Sequence, residues 1–304
     1  MTTRIATDMI VGSTLADINS AQAALERSQR ELSSGKSISQ PSDNPVGASQ
    51  AIMLQSALDG LDSYEKSAHD GSAWLKTAGG ALSSLNELTQ RARELVVQAA
   101  NGVNSQGDLN DIADEVEQLT EMAKQDADTQ YAGQYIFSGT LAGTAPYAQG
   151  ANDEYHGNSG AIARSVGPGA TIDVTVSVKS LLGEGQAAGD GKLLDTLRTI
   201  AKNLREGTPE ALKALSGHDL EAIEANLSTL GNLQAEVGAA TDQITSALNR
   251  VEDLQNTTTT QLSNIQDANF AQVSMEFSSQ QAAYNAALRA GASIVQESLL
   301  EFLH

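Results

Sequence analysis

Cysteine is absent from the 304 residues, so no disulfide, thiolate metal site or thiol chemistry is available to this chain. Aromatic residues are scarce: one Trp, six Tyr and four Phe. Five of them (Tyr131, Tyr135, Phe137, Tyr147 and Tyr155) fall between positions 131 and 155. That concentration predicts one small compact body joined to thin, Leu/Ala-based structure. Proline occurs only at 41, 45, 146, 168 and 209, which leaves 46–145 and 210–304 free of the strongest helix breaker. Long apolar runs are missing too. The first twenty residues carry Arg4 and Asp8 and no apolar core of signal-peptide length, and no stretch approaches a membrane span. The expectation is a protein either cytoplasmic or exported by a route that cleaves no signal. Basic residues number 18 against 38 acidic ones, a formal charge of −20, which argues against a phosphate-backbone partner.

The length suggests two or three packed units. Charge is unevenly placed along them. Residues 1–44 hold four Lys/Arg against five Asp/Glu, and residues 256–304 hold one against four, which leaves −16 for the middle. Nearly neutral ends can pack against copies of themselves while an acidic middle stays soluble.

What is present is helical periodicity. Ile52, Leu58, Leu61, Ala68, Leu75, Leu82, Leu85, Ala92 and Val96 recur at three- and four-residue steps, as do Ile223, Leu227, Leu230, Val237, Ile244, Leu248, Val251 and Leu254. Helices are predicted over about 45–100, 109–131, 192–206 and 218–255. Between them, YIFSGT (135–140) and 161–178 read as strands. In the second, Ile172, Val174, Val176 and Val178 alternate with polar residues, and Gly167-Pro168-Gly169 signals a hairpin. A small β-rich insert is expected over 139–189.

The ends form a third element. Leu15, Ile18, Leu25 and Leu32 share one stripe, with Gln22 and Gln29 at alternate seam positions. Leu262, Ile265, Val273, Phe277, Tyr284, Leu288, Val295, Leu299 and Phe302 continue the rhythm at the other end. QPSDNP (40–45) and QNTTTT (255–260) punctuate the two where they meet the middle. Matched terminal helices suggest that the termini pair, weakly, and that they need further partners. The expected fold is mainly α. It comprises a terminal coiled-coil polymerisation domain (1–44 with 256–304), a helical rod (45–138 with 190–255) and the outer insert.

Signals for chemistry are thin. The four His (69, 156, 218 and 304) are scattered without paired-ligand spacing. His156 lies near Asp153 and Glu154, in a Gly/Asn loop that reads as solvated surface. GEGQAAGDGKL (183–193) ends in Gly-Lys, but Gln186 stands where a phosphate-binding loop needs its first Gly, and Leu193 replaces Ser/Thr. No nucleophile elbow occurs. A membrane-surface role for the C-terminal helix is disfavoured by its single basic residue, Arg289. These readings point to a structural protein with no cofactor, metal or small-molecule substrate.

LERSQRELSSGKSISQPSDNPVGASQAIML (25–54) resembles the N-terminal signature of the bacterial flagellin family. Ser33, Ser34 and Gly35 suit the end of one helix, Asp43 or Asn44 the cap of the next, and Pro45 its first turn. Pro41 and Pro45 make PSDNP more similar to the hook–filament junction branch than to filament flagellins, which usually carry Ala-Lys-Asp-Asp-Ala-Ala there. Asn44 stands where that branch usually has a second Asp. YIFSGTLAGTAPY (135–147) and NIQDANFAQVSMEFSSQQAAYNAALRAGASIVQESLLEFL (264–303) are similar to segments of the same branch. The resemblance implies an extracellular structural subunit exported unfolded through the flagellar type III apparatus, without a cleaved signal. Its implied partners are the first hook-associated protein, flagellin, neighbouring copies and an export chaperone. A filament flagellin, or a helical secretion-tip protein, is the alternative.

Overall fold

The two prolines of QPSDNP and the residues around them decide where the long helices start. In the computed structural model, Asn44 Oδ1 accepts the N–H of Gly47 (3.0 Å), capping a helix that Pro45 opens with its fixed φ. The structure describes residues 2–101, 104–150, 153–185 and 188–302; within these, the side chains of 2–8, 10 and 294–302 lie outside the description. The architecture is mainly α: α1 (Thr2–Ser34), α2 (Pro45–Ala100), α3 (Gln106–Ala127), α4 (Lys179–Leu182), α5 (Leu193–Glu206), α6 (Pro209–Ala214), α7 (Leu220–Gln266) and α8 (Phe270–Phe302). Two small antiparallel hairpins accompany them, β1–β2 (Gln130–Tyr131, Gln134–Tyr135) and β3–β4 (Ala163–Gly167, Ala170–Asp173). The chain divides into two compact units, 61–253, and 1–60 with 254–304.

The larger unit is built on the apolar stripes. Trp74, Leu75, Leu82, Leu85 and Val96 of α2 pack with Val116 of α3, Leu197 and Ile200 of α5, and Ile223, Leu230 and Ile244 of α7 in one continuous core. Its helices end where local chemistry dictates. Ser105 and Asp108 form a reciprocal cap, Ser105 N–H to Asp108 Oδ2 (2.8 Å) and Asp108 N–H to Ser105 Oγ (3.3 Å), so α3 begins at Gln106, three residues before the expected start. Gly207, at φ 58°, closes α5. Thr208 and Pro209 then open α6, which a five-residue π turn (Leu215–Asp219) joins to α7.

Two strand expectations need correction. In YIFSGT only Tyr135 is in a strand. Ile136, Phe137 and Ser138 are buried in turns, where the Ser138 hydroxyl lies 3.2 Å from Tyr135 O and 3.1 Å from Leu141 O, and Gly139 adopts φ 64°. In 161–178 the hairpin forms at Pro168-Gly169, but β4 stops at Asp173. The Val174 N–H still reaches Ile162 O (2.9 Å), and the Thr175 side chain then takes the Ile162 N–H in place of a backbone carbonyl while its own N–H goes to Asp173 Oδ1 (2.8 Å). Val174, Val176 and Val178 are nonetheless buried. The alternation therefore reports burial without a sheet. Nor does 139–189 stand apart as a unit. Tyr147, Val166, Val174, Val176, Val178, Leu181 and Leu182 belong to the same core as the helices.

In the smaller unit, α1 and α8 run antiparallel side by side. The expected break at QNTTTT is not there, because α7 runs through it to Gln266. The Thr260 hydroxyl donates to Asn256 O four residues back (2.8 Å), and no Gly or Pro interrupts the run. The chain turns instead at Asp267–Asn269. Asn269 Oδ1 accepts the Gln272 N–H (3.3 Å) at the start of α8.

Candidate assembly surface

At the end of α1, Gly35 takes φ 70° and its N–H reaches Glu31 O (2.9 Å). The strand-like segment that follows is tied to the turn before α8. Ser37 N–H donates to Gln266 O (2.7 Å) and Ala268 N–H to Gly35 O (2.9 Å). Next, Asp43 Oδ2 accepts the N–H groups of Gln40 (2.9 Å) and Ser39 (3.1 Å), and these bonds hold its carboxyl below the usual range. Ser33, Ser34, Gly35, Pro41, Asp43, Asn44 and Pro45 together make a helix stop, a pinned turn and a helix start.

Among the described side chains of α1 and α8, only Ser28 (2% exposed) and Val273 (6%) are buried. Ile18, Leu25, Leu32, Phe277 and Tyr284 are half-buried, as are Leu262 and Ile265 at the end of α7. Leu15 and Leu288 are exposed; the side chains of Val295, Leu299 and Phe302 lie outside the description. Gln22 and Gln29 are not in the seam, as expected from spacing, but face solvent, with Gln22 bonded to Glu26 (3.0 Å). The seam's polar pair is Ser28 and Gln280, bonded at 2.6 Å.

The apolar surface also extends beyond the stripes. Met9, Val46, Met53, Phe270 and Met275 are more than 60% exposed, and Ile52, read from spacing as part of the rod stripe, is exposed beside a shallow cleft lined by Ile38, Pro41, Ala48 and Ala51. All six lie on the smaller unit. Periodicity alone does not separate these exposed residues from buried ones, since Ile52 and Phe270 share the rhythm of the stripes.

The larger unit holds a buried charge cluster. Lys124 Nζ lies 3.1 Å from both Asp153 Oδ1 and Glu121 Oε2 and bonds Gly150 O; Arg198 bonds Asp153 through Nε (3.0 Å) and Glu121 through Nη2 (2.7 Å). Burial would push the Asp153 carboxyl up, but the bonds from Arg198 and Lys124 outweigh it and hold it down. Each charge is already partnered, so the cluster fastens the 150–153 segment to α3 and α5. In the GEGQAAGDGKL loop the Asp190 carboxylate accepts the N–H groups of Glu184 (3.1 Å) and Lys192 (3.0 Å). His156 is exposed. Among the described residues no group of three His, Asp or Glu side chains could hold a metal, and no helix is long and apolar enough to cross a membrane.

The bacterial flagellin N-terminal helical region matches residues 5–142, and the C-terminal helical region matches residues 220–303. A flagellin of Escherichia coli O127:H6 is 31% identical over 217 residues, covering 67% of this chain and 39% of that protein. The chain thus spans well under two thirds of that flagellin's length. Flagellar hook associated protein-3 of Legionella pneumophila superimposes with a TM-score of 0.61 at 15% identity, covering 70% of this chain and 98% of that one. FlgL of Bacillus cereus does so with a TM-score of 0.57 at 22% identity, covering 69% and 99%. At these identities the likeness is one of fold.

Proposed function

Because the chain belongs to the bacterial flagellin family, we propose that it is the structural adaptor joining the flagellar hook to the filament, and that it carries out no catalysis. The observation that supports this reading most is the fold match, which takes in 69–70% of this chain and 98–99% of the Legionella hook associated protein-3 and Bacillus FlgL chains. The Pro41–Pro45 turn, with both prolines, agrees. In this reading the half-buried stripe of α1 and α8 and the exposed Val46, Met53, Phe270 and Met275 meet neighbouring copies, the first hook-associated protein on one side and flagellin on the other. The acidic larger unit resists non-specific contact. An export chaperone would cover the terminal helices before assembly, and export would use the flagellar type III apparatus.

The test is deletion of the gene. Expected are intact hooks without filaments and flagellin accumulating in the medium. Normal filaments in the deletion strain would overturn the reading. A filament flagellin, the reading favoured by the identity to E. coli flagellin alone, would instead be present in very many copies per flagellum.

A further inference from the structure

With no cysteine, methionine carries all the sulfur of this chain. Of its five methionines, Met9, Met53, Met122 and Met275 have described side chains, and these are exposed by 71%, 62%, 48% and 68%. Methionine is ordinarily among the residue types most often buried. Here the core is built from Ala, Val, Ile, Leu, Phe, Tyr and Trp, and among the described residues it holds no methionine. Met53 lies on the face of α2 that carries Val46 seven residues earlier, and Met275 follows Phe270 in the opening turns of α8. The positions three and four residues from either are Ser, Gln or Ala, without a charge. Each sulfur is thus open to a small oxidant, and none belongs to the packing that holds 61–253.

We propose that Met53 and Met275 are modification sites, oxidised to the sulfoxide by a peroxide, and that this change switches off the contact surface while the fold persists. A lone pair of the thioether sulfur attacks one oxygen of hydrogen peroxide. The S–O bond forms as the O–O bond breaks, and the second oxygen leaves as water with both protons. The sulfur is oxidised by two electrons and the peroxide is reduced by the same two. A sulfoxide is polar and accepts hydrogen bonds, so a side chain that dries readily against a neighbour becomes one that resists drying. In a core the same reaction would disrupt packing. At these positions it is confined to contacts, and methionine sulfoxide reductases reverse it. The inference rests on the reading of this surface as the one that joins hook to filament. Met122, exposed on the larger unit, is the internal control.

The full-length protein is treated with hydrogen peroxide, quenched with free methionine and mapped by peptide mass spectrometry. Met53 and Met275 should each gain one oxygen at close to the rate of a free methionine peptide. Melting of the larger unit, followed by Trp74 emission, should not move. Treated and untreated protein are then added with flagellin to the filamentless hooks of the deletion strain. Treated protein should raise about tenfold fewer filaments, and methionine sulfoxide reductase should restore the count. The treated-to-untreated ratio should stay near one for Met53→Leu with Met275→Leu, and fall as in the parent for Met9→Leu with Met122→Leu. Slow oxidation at 53 and 275, a lowered melting temperature, an unchanged filament count, no recovery with the reductase, or the reverse order of the two variants would each overturn the inference and leave the junction reading standing. Untreated protein that raises no filaments would overturn the junction reading, and this inference with it.

Discussion

Lys124 Nζ lies 3.1 Å from Asp153 Oδ1, and neither side chain reaches solvent. Removing Lys124 would leave two carboxylates, Asp153 and Glu121, facing the single charge of Arg198, a loss of up to about 3–5 kcal/mol. Lys124→Met should therefore lower the melting temperature of the larger unit by about 10 °C. Adding Asp153→Leu should recover part of that loss, because Glu121 and Arg198 are then left as a one-to-one pair with no surplus buried carboxylate. Calorimetry of the two variants checks the order.

The same cluster fixes a pH dependence. The Asp153 and Glu121 carboxyls are held low in the fold by the bonds from Arg198, Lys124 and the Gly150 N–H, against the opposing effect of burial. Their contribution is complete above the unfolded value of about 4 and is lost as pH falls through the lower folded value. Asp128 is the reverse case. Burial raises its carboxyl despite the Tyr147 N–H and Gln149 bonds, so its charge destabilises at neutral pH. Asp128→Asn should raise the melting temperature at pH 7 and lose that advantage in acid, whereas Asp153→Asn should lower it at pH 7 and converge with the parent in acid. Melting curves across pH decide both.

The only tryptophan, Trp74, is buried, with Tyr131 edge-on at 6.0 Å and the Arg164 guanidinium 5.8 Å from the ring centre. Its emission should be blue-shifted and should follow unfolding of 61–253 alone. The terminal helices bury so few side chains that their ordering entropy is hardly offset. Limited proteolysis of dilute monomer should trim both ends, leaving about 45–255, with the Trp74 emission unchanged. Equal protection of ends and core would contradict this.

Excising the insert should fail. Its hairpin ends in turn-forming sequence suggest a dispensable unit, but Tyr147, Val174, Val176, Leu181 and Leu182 are core residues, and the Tyr147 hydroxyl donates to Gly183 O (2.7 Å). Each large side chain lost is worth about 2–5 kcal/mol, and a domain's whole net stability is about 5–15 kcal/mol. Replacing 140–188 by a Gly/Ser linker should give an insoluble or non-cooperatively melting protein. A soluble product with a sharp transition would show that the helices hold without it.

Phe277 is half-buried and Leu288 is 42% exposed. The double change Phe277→Ala, Leu288→Ala should abolish hook–filament joining in motility assays. It should leave the Trp74-monitored melting of 61–253 almost unchanged. A large loss of stability in that unit would assign the stripe to a monomer core.

Local chemistry was legible in the sequence and distant pairing was not. Asn44 and Pro45 set the start of α2 because a cap and a fixed φ act within four residues. The apolar rhythm of α2 and α7 predicted their buried faces. QNTTTT misled because β-branching lowers propensity on average, while here hydroxyl-to-carbonyl bonds accompany an unbroken helix. Lys124 stands three residues after Glu121, a spacing that marks only an ordinary i, i+3 pair. Its burial depends on Asp153, 29 residues on, and on Arg198 beyond it. Ser28 was overlooked in the same way, since its acceptor lies 252 positions distant.

The bond from Ser37 N–H to Gln266 O closes a gate 2.7 Å wide. Chain that leaves α1 through it makes a detour of more than two hundred residues and comes back to the same gate before α8 begins. Because loop closure depends only logarithmically on length, the terminal helices are almost indifferent to how long that detour is. A chain arranged this way can lengthen, shorten or exchange its interior without altering the geometry with which its two ends meet.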